Sequence, residues 1–431
     1  MMSTSIMLFT RDLRVRDNPA LTAACRAEHV VPVFVFDDAI LNGPFAAPNR
    51  VRFLLESLAD LRASLRDLGG DLVVRRGDPV TEAARLAGQT GASSLVVADE
   101  RSAYGTRRLG GLRALGMEVS AHPGITVVPP GELTPAGGDH YRVFTPYWRA
   151  WDAVRWRPIA DAPEAIRLPS GVRAGSLPRL ADLISGSPSP DPAPGGERAG
   201  RRRMTQWLRE AAADYDRAHD DLAADRTSRL SPYLKFGCIS PLELAHAGPS
   251  AFRRQLAWRD FHHQVAAAFP ALARDDYRPR GHRWNNDEDA LAAWWDGMTG
   301  VPIVDAGMRQ LRSEGFMHNR ARLITASFLT RDLGIDWRHG LRHFNDRLTD
   351  GDIADNAGNW QWVAGTGNNT RPGQVMSPLR QASRFDPHGD YVRRYVAELA
   401  DIEGSRVHRP WTLRASGRRA SSYPPPIIDI D

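Results

Sequence analysis

The chain has 431 residues, of which 42% are hydrophobic, and its 56 basic and 51 acidic side chains give a formal charge of +5. Because a chain of this length is too long for one ordinary core, we expect two domains. No stretch approaches the roughly 20 apolar residues that a membrane span needs, and the first residues lack a signal-peptide pattern. The positive charge permits a nucleic-acid partner without demonstrating one. The two cysteines, Cys25 and Cys238, predict a reducing cytoplasm and neither a disulfide scaffold nor a metal site.

The first 125 residues alternate short apolar runs with a helical pattern. Residues 49–68 repeat apolar side chains at helical spacing, and β-rich runs flank them. This alternation predicts a doubly wound, Rossmann-like α/β domain, although no G-x-G-x-x-G fingerprint follows the first strand. The strands are predicted at residues 5–9, 30–36, 71–74, 94–98 and 117–122.

The remaining chain divides by composition. Proline, serine and glycine dominate parts of residues 129–200, which predicts a long connector that wraps over the surface or is partly mobile. Helical periodicity then prevails, and three consecutive prolines near the end predict a non-helical tail. We therefore predict an α/β domain at 1–128, a connector at 129–200, an all-helical domain at 201–420 and a tail at 421–431. Helices are predicted at 251–268, 303–313, 320–333 and 341–348.

A turn rich in hydroxyl groups precedes the short helical run 233–236. Thr227, Ser228 and Ser231 accompany Arg229 in this turn. Hydroxyls and free amides at a helix start suit a phosphate group. An ordinary N-cap explains the same residues, and the spacing alone leaves both interpretations open.

A polar and aromatic stripe lies on one face of the predicted helix 251–268. Gln255, Trp258, Arg259 and His262 recur at helical spacing. Such a mixture is poor core material. It indicates either a solvated face, which Trp258 would make costly, or a wall that faces a ligand.

Two further groups of polar residues could line the same pocket. Asn319 with Arg322 and Leu323 forms one group, although capping explains a lone Asn equally well. The other contains Asp350, Asp352, Asn356 and Trp360, and the last three of these share a helical face. No histidine or third carboxylate lies at ligand spacing in this segment, which argues against a metal site. A hydrogen-bonding wall around a heterocycle fits these residues better, and a plain polar loop is the alternative.

Taken together, these segments resemble the DNA photolyase and cryptochrome family, and class I cyclobutane pyrimidine dimer photolyases in particular. The resemblance covers roughly residues 5–400, and its motifs occur in the family's order, which makes them far more specific than any one alone. They are residues 11–18, 227–237, 299–306, 317–320, 350–352 and 360–362.

The resemblance implies an α/β antenna domain and an all-α domain that binds one FAD. Arg322 and Asp350 would form an ion pair beside the isoalloxazine ring, Asp352 would reach its polar edge, and Asn356 would face N5. Animal and plant cryptochromes resemble this segment but carry Cys and Asp, respectively, where this chain has Asn356. Further cofactor contacts are implied for Tyr215, Thr227, Ser228, Leu230, Ser231 and Arg259.

The resemblance also implies roles for the tryptophans. Trp360, Trp337 and Trp284 match an electron-transfer triad that runs from the flavin to the surface. Trp258 and Trp362 match aromatic walls that receive a flipped lesion. Gln255 and Asn319 would complete the lesion pocket, and Arg320 is implied as a DNA contact.

The implied activity is that of a carbon–carbon lyase, in which excited reduced FAD donates an electron to a cyclobutane dimer in UV-damaged DNA. A cryptochrome-like blue-light photoreceptor with little or no repair is the alternative, since four positions depart from the cyclobutane pattern. Gln255 stands where Glu is usual, Leu323 replaces a Met, His219 replaces an Arg, and Ser377 replaces an Asn.

A second chromophore is implied in the α/β domain. The segment 34–38, together with Arg50 and Arg52, resembles a deazaflavin-binding strand end and helix, which favours 8-hydroxydeazaflavin over methenyltetrahydrofolate. We further expect a monomer without a resident metal ion and without a membrane partner.

Overall fold

Five short apolar runs form the strands β1 (Thr4–Phe9), β2 (His29–Phe36), β3 (Val73–Arg76), β4 (Ser94–Ala98) and β5 (Glu118–His122). The structure is a computed structural model that describes residues 3–414 and 422–430. All five predicted strands are present. The third begins two residues later than predicted, at Val73, and the Asp71 carboxylate before it accepts from Arg62 and Arg66.

The strands form one parallel sheet in the order β3-β2-β1-β4-β5. Alternate side chains of each strand enter different cores, as a pleated strand requires. Ile6 and Leu8 pack in one core with Leu86, whereas Met7 and Phe9 belong to the large core on the other face. The helices α1 to α5 of this part are Pro19–Ala24, Asp38–Leu41, Pro48–Asp67, Pro79–Thr90 and Ala103–Arg113.

The predicted connector is more ordered than its composition suggests. It contains the helix α6 (Phe144–Ala153), and Trp151 of this helix is fully buried. The indole N–H of Trp151 donates to the carboxylate of Asp260 over 2.9 Å. The segment thus packs against the helical domain, and the domain boundaries themselves remain a prediction.

Helices dominate the rest of the chain, which confirms the predicted combination of an α/β part and an all-helical part. The predicted helix 320–333 ends earlier, at Ser327, and continues as a single wide π turn (Phe328–Asp332), where the Leu333 amide donates to the Phe328 carbonyl. The helices α7 to α19 are Glu197–Glu210, Tyr215–Ala218, Ser231–Lys235, Pro241–Ala247, Ser250–Ala268, Glu288–Asp296, Pro302–Glu314, Asn319–Ser327, Trp337–Arg347, Ile353–Ala364, Pro378–Phe385, Asp390–Tyr395 and Pro410–Arg414.

The two parts meet in close backbone contact. Gly237 has a φ of +66°, and a β-carbon there would collide with the carbonyl group of Arg11. The fully buried Arg14 donates to the carbonyl oxygens of Gly237 and Gly124 over 3.0 Å each. The loop after β1 is therefore fixed against the helical part.

The described part of the predicted tail is non-helical and docked. Tyr423 is 1% exposed, and its hydroxyl donates to Asp305. The amide of Ile427 donates to the carbonyl of Thr299 over 2.9 Å. Among the helices of residues 3–414 and 422–430, none combines the length and the apolar character needed to cross a bilayer.

Candidate active site

A cavity of about 430 Å³ lies between the helices α11, α14 and α16 and the segment that leads into α9. Almost every predicted site residue lines it. The exceptions are Arg320, Trp337 and Trp284. Chain segments more than 130 residues apart thus contribute to one cavity.

The α11 wall carries the predicted polar and aromatic stripe. Gln255, Trp258, Arg259 and His262 all line the cavity, which favours the interpretation as a ligand-facing wall over a solvated face. Phe144 of α6 stacks on the Trp258 indole, with ring centroids 3.6 Å apart and planes 8° apart. The connector helix therefore fixes the orientation of this indole.

The α16 wall lies opposite and begins at Asp352. The Asp352 carboxylate accepts from the amides of Ala354 and Asp355 at the helix start, as an N-cap does. Asn356 and Trp360 follow on the same face, as predicted, and Trp362 lines the cavity while remaining half-buried.

The hydroxyl-rich turn closes a third side. Arg203 of α7 donates to the carbonyl oxygens of Thr227 and Ser228 over 2.9 Å each, which fixes the turn from outside. Arg229 has a φ of +53° and is held by ion pairs of 2.7 Å to Asp225 and Glu314. The backbone is thus held in a left-handed conformation that a non-glycine residue rarely adopts.

The predicted ion pair between Arg322 and Asp350 is present. Their N–O distance is 2.7 Å, and Ser231 donates a further hydrogen bond to the same carboxylate oxygen. The other carboxylate oxygen of Asp350 is buried without a partner, and so is the Thr227 hydroxyl. Both residues line the cavity, so these two atoms are available to hydrogen-bond a polar ligand there.

On α14 the structure separates neighbouring residues. Asn319, Arg322 and Leu323 line the cavity, as predicted, whereas Arg320 lies outside it. The Arg320 guanidinium makes a bidentate contact with Asp220, at 2.6 and 3.1 Å. It also lies 4.3 Å from the centre of the Phe385 ring. The Asp220 carboxylate thus already neutralises the charge of Arg320 within the chain.

A charged cluster behind the α16 wall was not apparent from the sequence. Arg11, from the loop after β1, forms an ion pair with Asp352, 341 residues away. His263 and Asp355 bring ligand atoms within 4.8 Å of those of Asp352, so the inference from spacing that no histidine or third carboxylate is available was wrong. Tertiary contacts between α11 and α16 create this group, and the Arg11 guanidinium already neutralises Asp352.

Burial perturbs the titration of this cluster. Burial alone would raise the pKa of the Asp352 carboxyl, but Arg11 and His263 outweigh it and hold that pKa well below its usual range. Burial lowers the pKa of His263 to about 3. Burial and the neighbouring Arg11 lower the pKa of Lys235, which also lines the cavity, to about 8.

The three predicted electron-transfer tryptophans range from the cavity to the half-exposed surface. Trp360 lines the cavity and is 2% exposed, Trp337 is fully buried, and Trp284 is half-buried. The Trp337 indole donates to Asp276 over 3.0 Å. The residue after Trp284, Asn285, forms a backbone bridge to Ile335, two residues before Trp337.

A buried amide behind Asn356 was also missed. Nδ2 of Asn356 donates to Oδ1 of Asn345 on α15 over 2.7 Å. No sequence signal distinguishes Asn345, because it is eleven residues from Asn356 and on a different helix.

In the α/β part, Arg50 is not free to bind a second chromophore. It is 6% exposed and donates to the carbonyl oxygens of Asn345 and Leu348 at the end of α15. Arg52 instead forms an ion pair of 2.8 Å with Glu56, and both side chains are about one-third exposed. At the end of β2, Asp37 caps α2 and accepts from the Tyr104 hydroxyl.

Three of the four positions that depart from the cyclobutane pattern line the cavity. They are Gln255, Leu323 and His219, and the His219 ring stacks on Tyr215 with centroids 5.1 Å apart. The fourth, Ser377, caps α17.

Two sequence families match the chain, one described as DNA photolyase over residues 5–165 and one as the FAD binding domain of DNA photolyase over residues 252–431. A deoxyribodipyrimidine photo-lyase of Streptomyces griseus is 51% identical over 443 residues, which cover 100% of this chain and 97% of that protein. The cryptochrome DASH of Natronomonas pharaonis is 35% identical and is matched over 99% of its length and 100% of this chain. A bacterial class III photolyase from Agrobacterium tumefaciens has the same fold, with a TM-score of 0.91 and 35% identity over 100% of this chain and 95% of that one.

Proposed function

Because the chain belongs to the DNA photolyase and cryptochrome family, we propose that it is an enzyme that uses light to split cyclobutane pyrimidine dimers in DNA. One observation carries this proposal: a single cavity joins the aromatic residues Trp258 and Trp362 to the Arg322–Asp350 ion pair and Asn356. A base and a flavin could therefore meet inside it. The assignment to class I stays a prediction, since the Agrobacterium structure is described as class III.

The cavity residues fit FAD. The unpartnered Thr227 hydroxyl and Asp350 oxygen offer hydrogen bonds to a polar ligand. We propose that Tyr215, with residues 227–231, holds the phosphates and ribose, and that Arg259 contributes a further cation at the cavity edge. Arg322 and Asp350 would flank the ring, Asp352 would reach its polar edge and Asn356 would face N5. When bound, reduced FAD supplies the electron that light drives to the lesion.

Trp258 and Trp362 provide aromatic surfaces for the lesion. Duplex DNA hides its bases, so an enzyme that acts on them must extrude the damaged pair into a pocket, as base-flipping enzymes do. Phe144 already holds Trp258 in place, so the surface is formed before the lesion arrives. Gln255 is exposed at the cavity and can both donate to and accept from a pyrimidine edge, and Asn319 is also exposed there.

The proposed electron path follows Trp360, Trp337 and Trp284 outward from the cavity. Indole is oxidisable, so adjacent rings can pass an electron inward to the cofactor while the positive charge moves to the surface. For DNA contact, Arg320 would have to exchange Asp220 for a phosphate group.

The proposed deazaflavin antenna is supported by fewer predicted contacts than the FAD site. Arg50 serves the contact with α15, so segment 34–38 and Arg52 are the remaining predicted contacts. The absorption spectrum of the purified holoprotein distinguishes a deazaflavin from a folate, because their long-wavelength bands differ.

A photoreceptor with little repair is the second candidate, and it is favoured by Gln255 and His219 at the cavity. An amide at residue 255 lacks the charge of the Glu usual in cyclobutane-specific enzymes. The relatives include a protein named cryptochrome DASH.

The deciding experiment mixes photoreduced protein with UV-damaged oligothymidylate under blue light. Recovery of thymine absorbance supports repair, and a parallel reaction with (6-4) photoproducts tests the lesion class. No recovery with either substrate, despite full flavin occupancy, would favour the photoreceptor.

A further inference from the structure

Asn345 holds the side chain of Asn356 from behind the cavity wall. Nδ2 of Asn356 donates to Oδ1 of Asn345 over 2.7 Å, and the two residues are 9% and 7% exposed. Asn356 lines the cavity and Asn345 does not. The two amides therefore form a layered pair, of which only Asn356 can touch a ligand.

Asn345 is itself fixed by the α/β part of the chain. Its backbone carbonyl accepts from the buried guanidinium of Arg50, which also donates to Leu348 over 2.8 Å. Asn49, next to Arg50 on α3, donates to the Arg347 carbonyl over 2.5 Å. The end of α15 is thus tied to α3 by two side chains, and Asn345 offers Asn356 a stationary partner.

The hydrogen bond determines which half of the Asn356 amide remains for the cavity. An amide group has a donor half and an acceptor half, and a rotation of 180° exchanges them. Because Asn345 engages one N–H of the NH₂ group, the amide is fixed against rotation and the carbonyl oxygen of Asn356 stays available to a ligand. A buried amide that lost this contact would rotate toward whichever partner the ligand offers.

We infer that Asn345 is a positioning residue that sets the reduction potential of the bound flavin by fixing the acceptor oxygen of Asn356 toward N5. The inference rests on the proposed function, in which Asn356 faces N5. In the reduced ring, N5 carries a hydrogen and donates, whereas in the oxidised ring N5 has only a lone pair and accepts. A fixed acceptor therefore stabilises the reduced ring and repels the oxidised one.

The test is a double-mutant cycle on the flavin-loaded protein, with the midpoint potential as the readout. The variants are Asn345→Leu, Asn356→Ala and the combination of both. Leu branches at the same carbon as Asn but has no acceptor, so Asn345→Leu frees the Asn356 amide to donate to oxidised N5. At the midpoint potential of the wild type, we expect the ratio of reduced to oxidised flavin in the variant to be about tenfold lower. This corresponds to a midpoint potential that is lower by about 30 mV for a two-electron couple.

The cycle separates positioning from simple support of the fold. If Asn345 acts through Asn356, the substitution Asn345→Leu leaves the potential unchanged when Asn356 is already Ala. The inference is overturned if Asn345→Leu shifts the midpoint potential equally in the wild type and in Asn356→Ala. It is also overturned if the flavin-loaded variant shows no shift. Asn345→Ala replaces Asn345→Leu if the larger side chain prevents folding, and the same shift is expected.

Asn49→Leu is the matched control. It removes the hydrogen bond from Asn49 to the Arg347 carbonyl, whereas Arg50 still holds the Asn345 carbonyl and the Asn345–Asn356 contact stays in place, so it should lower stability without moving the potential. The repair assay on the same preparations keeps the two proposals apart. If Asn345→Leu shifts the midpoint potential but the wild type does not repair DNA, only the repair function is contradicted. If the wild type repairs DNA but Asn345→Leu causes no shift, only the role of Asn345 is contradicted. Failure of the protein to bind FAD contradicts both.

Discussion

Gly340 of α15 lies directly against the indole of Trp360, and a β-carbon at residue 340 would overlap the six-membered part of that ring. Trp337 lies one turn earlier on the same helix. Trp360 also meets Phe344 edge-on, with centroids 5.0 Å apart. The missing side chain at residue 340 thus lets α15 and the Trp360 ring approach closely.

Gly340→Ala should displace Trp360 and destabilise the fold by about 1–3 kcal/mol, as overpacking does. Photoreduction of oxidised FAD should slow, because the displaced ring changes its distance to its neighbours. Urea unfolding and the rate of flavin bleaching under blue light measure the two effects. Gly110→Ala on α5 is the control, since a β-carbon there meets nothing within 4 Å and should be neutral or stabilising by up to about 1 kcal/mol. Equal behaviour of the two variants would contradict the packing argument.

Trp360→Phe should remove most of the photoreduction of oxidised FAD. Phenylalanine keeps an apolar ring but is much harder to oxidise than indole. Repair by chemically reduced enzyme should be spared, because that reaction needs no electron from the protein. Both reactions are followed by absorbance. If neither changes, the proposed electron path is wrong.

Gln255→Glu should strengthen the repair of cyclobutane dimers. A carboxylate makes hydrogen bonds about twice as strong as an amide does, a gain of about 1 kcal/mol or roughly fivefold in kcat/KM. The variant and the wild type are compared on damaged oligothymidylate at equal flavin occupancy. An unchanged rate would show that residue 255 does not limit repair in this chain.

Arg322→Met should lower FAD occupancy and stability together. The substitution leaves the buried Asp350 carboxylate without its cation, which costs about 3–5 kcal/mol. Flavin absorbance per protein and urea unfolding report the two losses. The double variant Arg322→Met with Asp350→Asn should recover stability, since no unpaired charge remains, but not occupancy. Recovery of both would show that the ion pair has no specific role toward FAD.

Lys235, the only lysine in the chain, should give the protein an alkaline stability gradient. Its pKa is lowered to about 8 by burial and Arg11, whereas in the unfolded chain it is near 10.5. Between these values the unfolded chain binds the proton and the folded one does not. The free energy of unfolding should therefore rise by roughly 3 kcal/mol as the pH increases across this interval. Below pH 8 the contribution of Lys235 to that free energy should not change with pH.

Lys235→Met isolates that contribution. Tyrosine and cysteine ionisation affects the variant and the wild type alike, so the difference between their unfolding free energies reports Lys235 alone. We expect the variant to be more stable at pH 7 and the difference to shrink toward pH 10.5. A difference independent of pH would contradict the lowered pKa.

The sequence by itself determined what short-range chemistry controls. The strands and most helices followed from apolar periodicity, and the stripe of Gln255, Trp258, Arg259 and His262 followed from the 3.6-residue helical repeat. Motif order indicated the family and, through it, the Arg322–Asp350 pair. These features need only local spacing or a family's ordered pattern of residues.

Only the tertiary structure decided which side chains are available and which are already engaged. Nothing in the sequence marks Arg50 and Arg320 as engaged, but one is buried against α15 and the other pairs with Asp220. Conversely, Asn345 gains its contact with Asn356, and Arg11 gains Asp352, through packing between distant segments. A hydrogen bond or an ion pair depends on positions within a few ångströms, and periodicity along the chain does not specify distances between elements far apart in sequence.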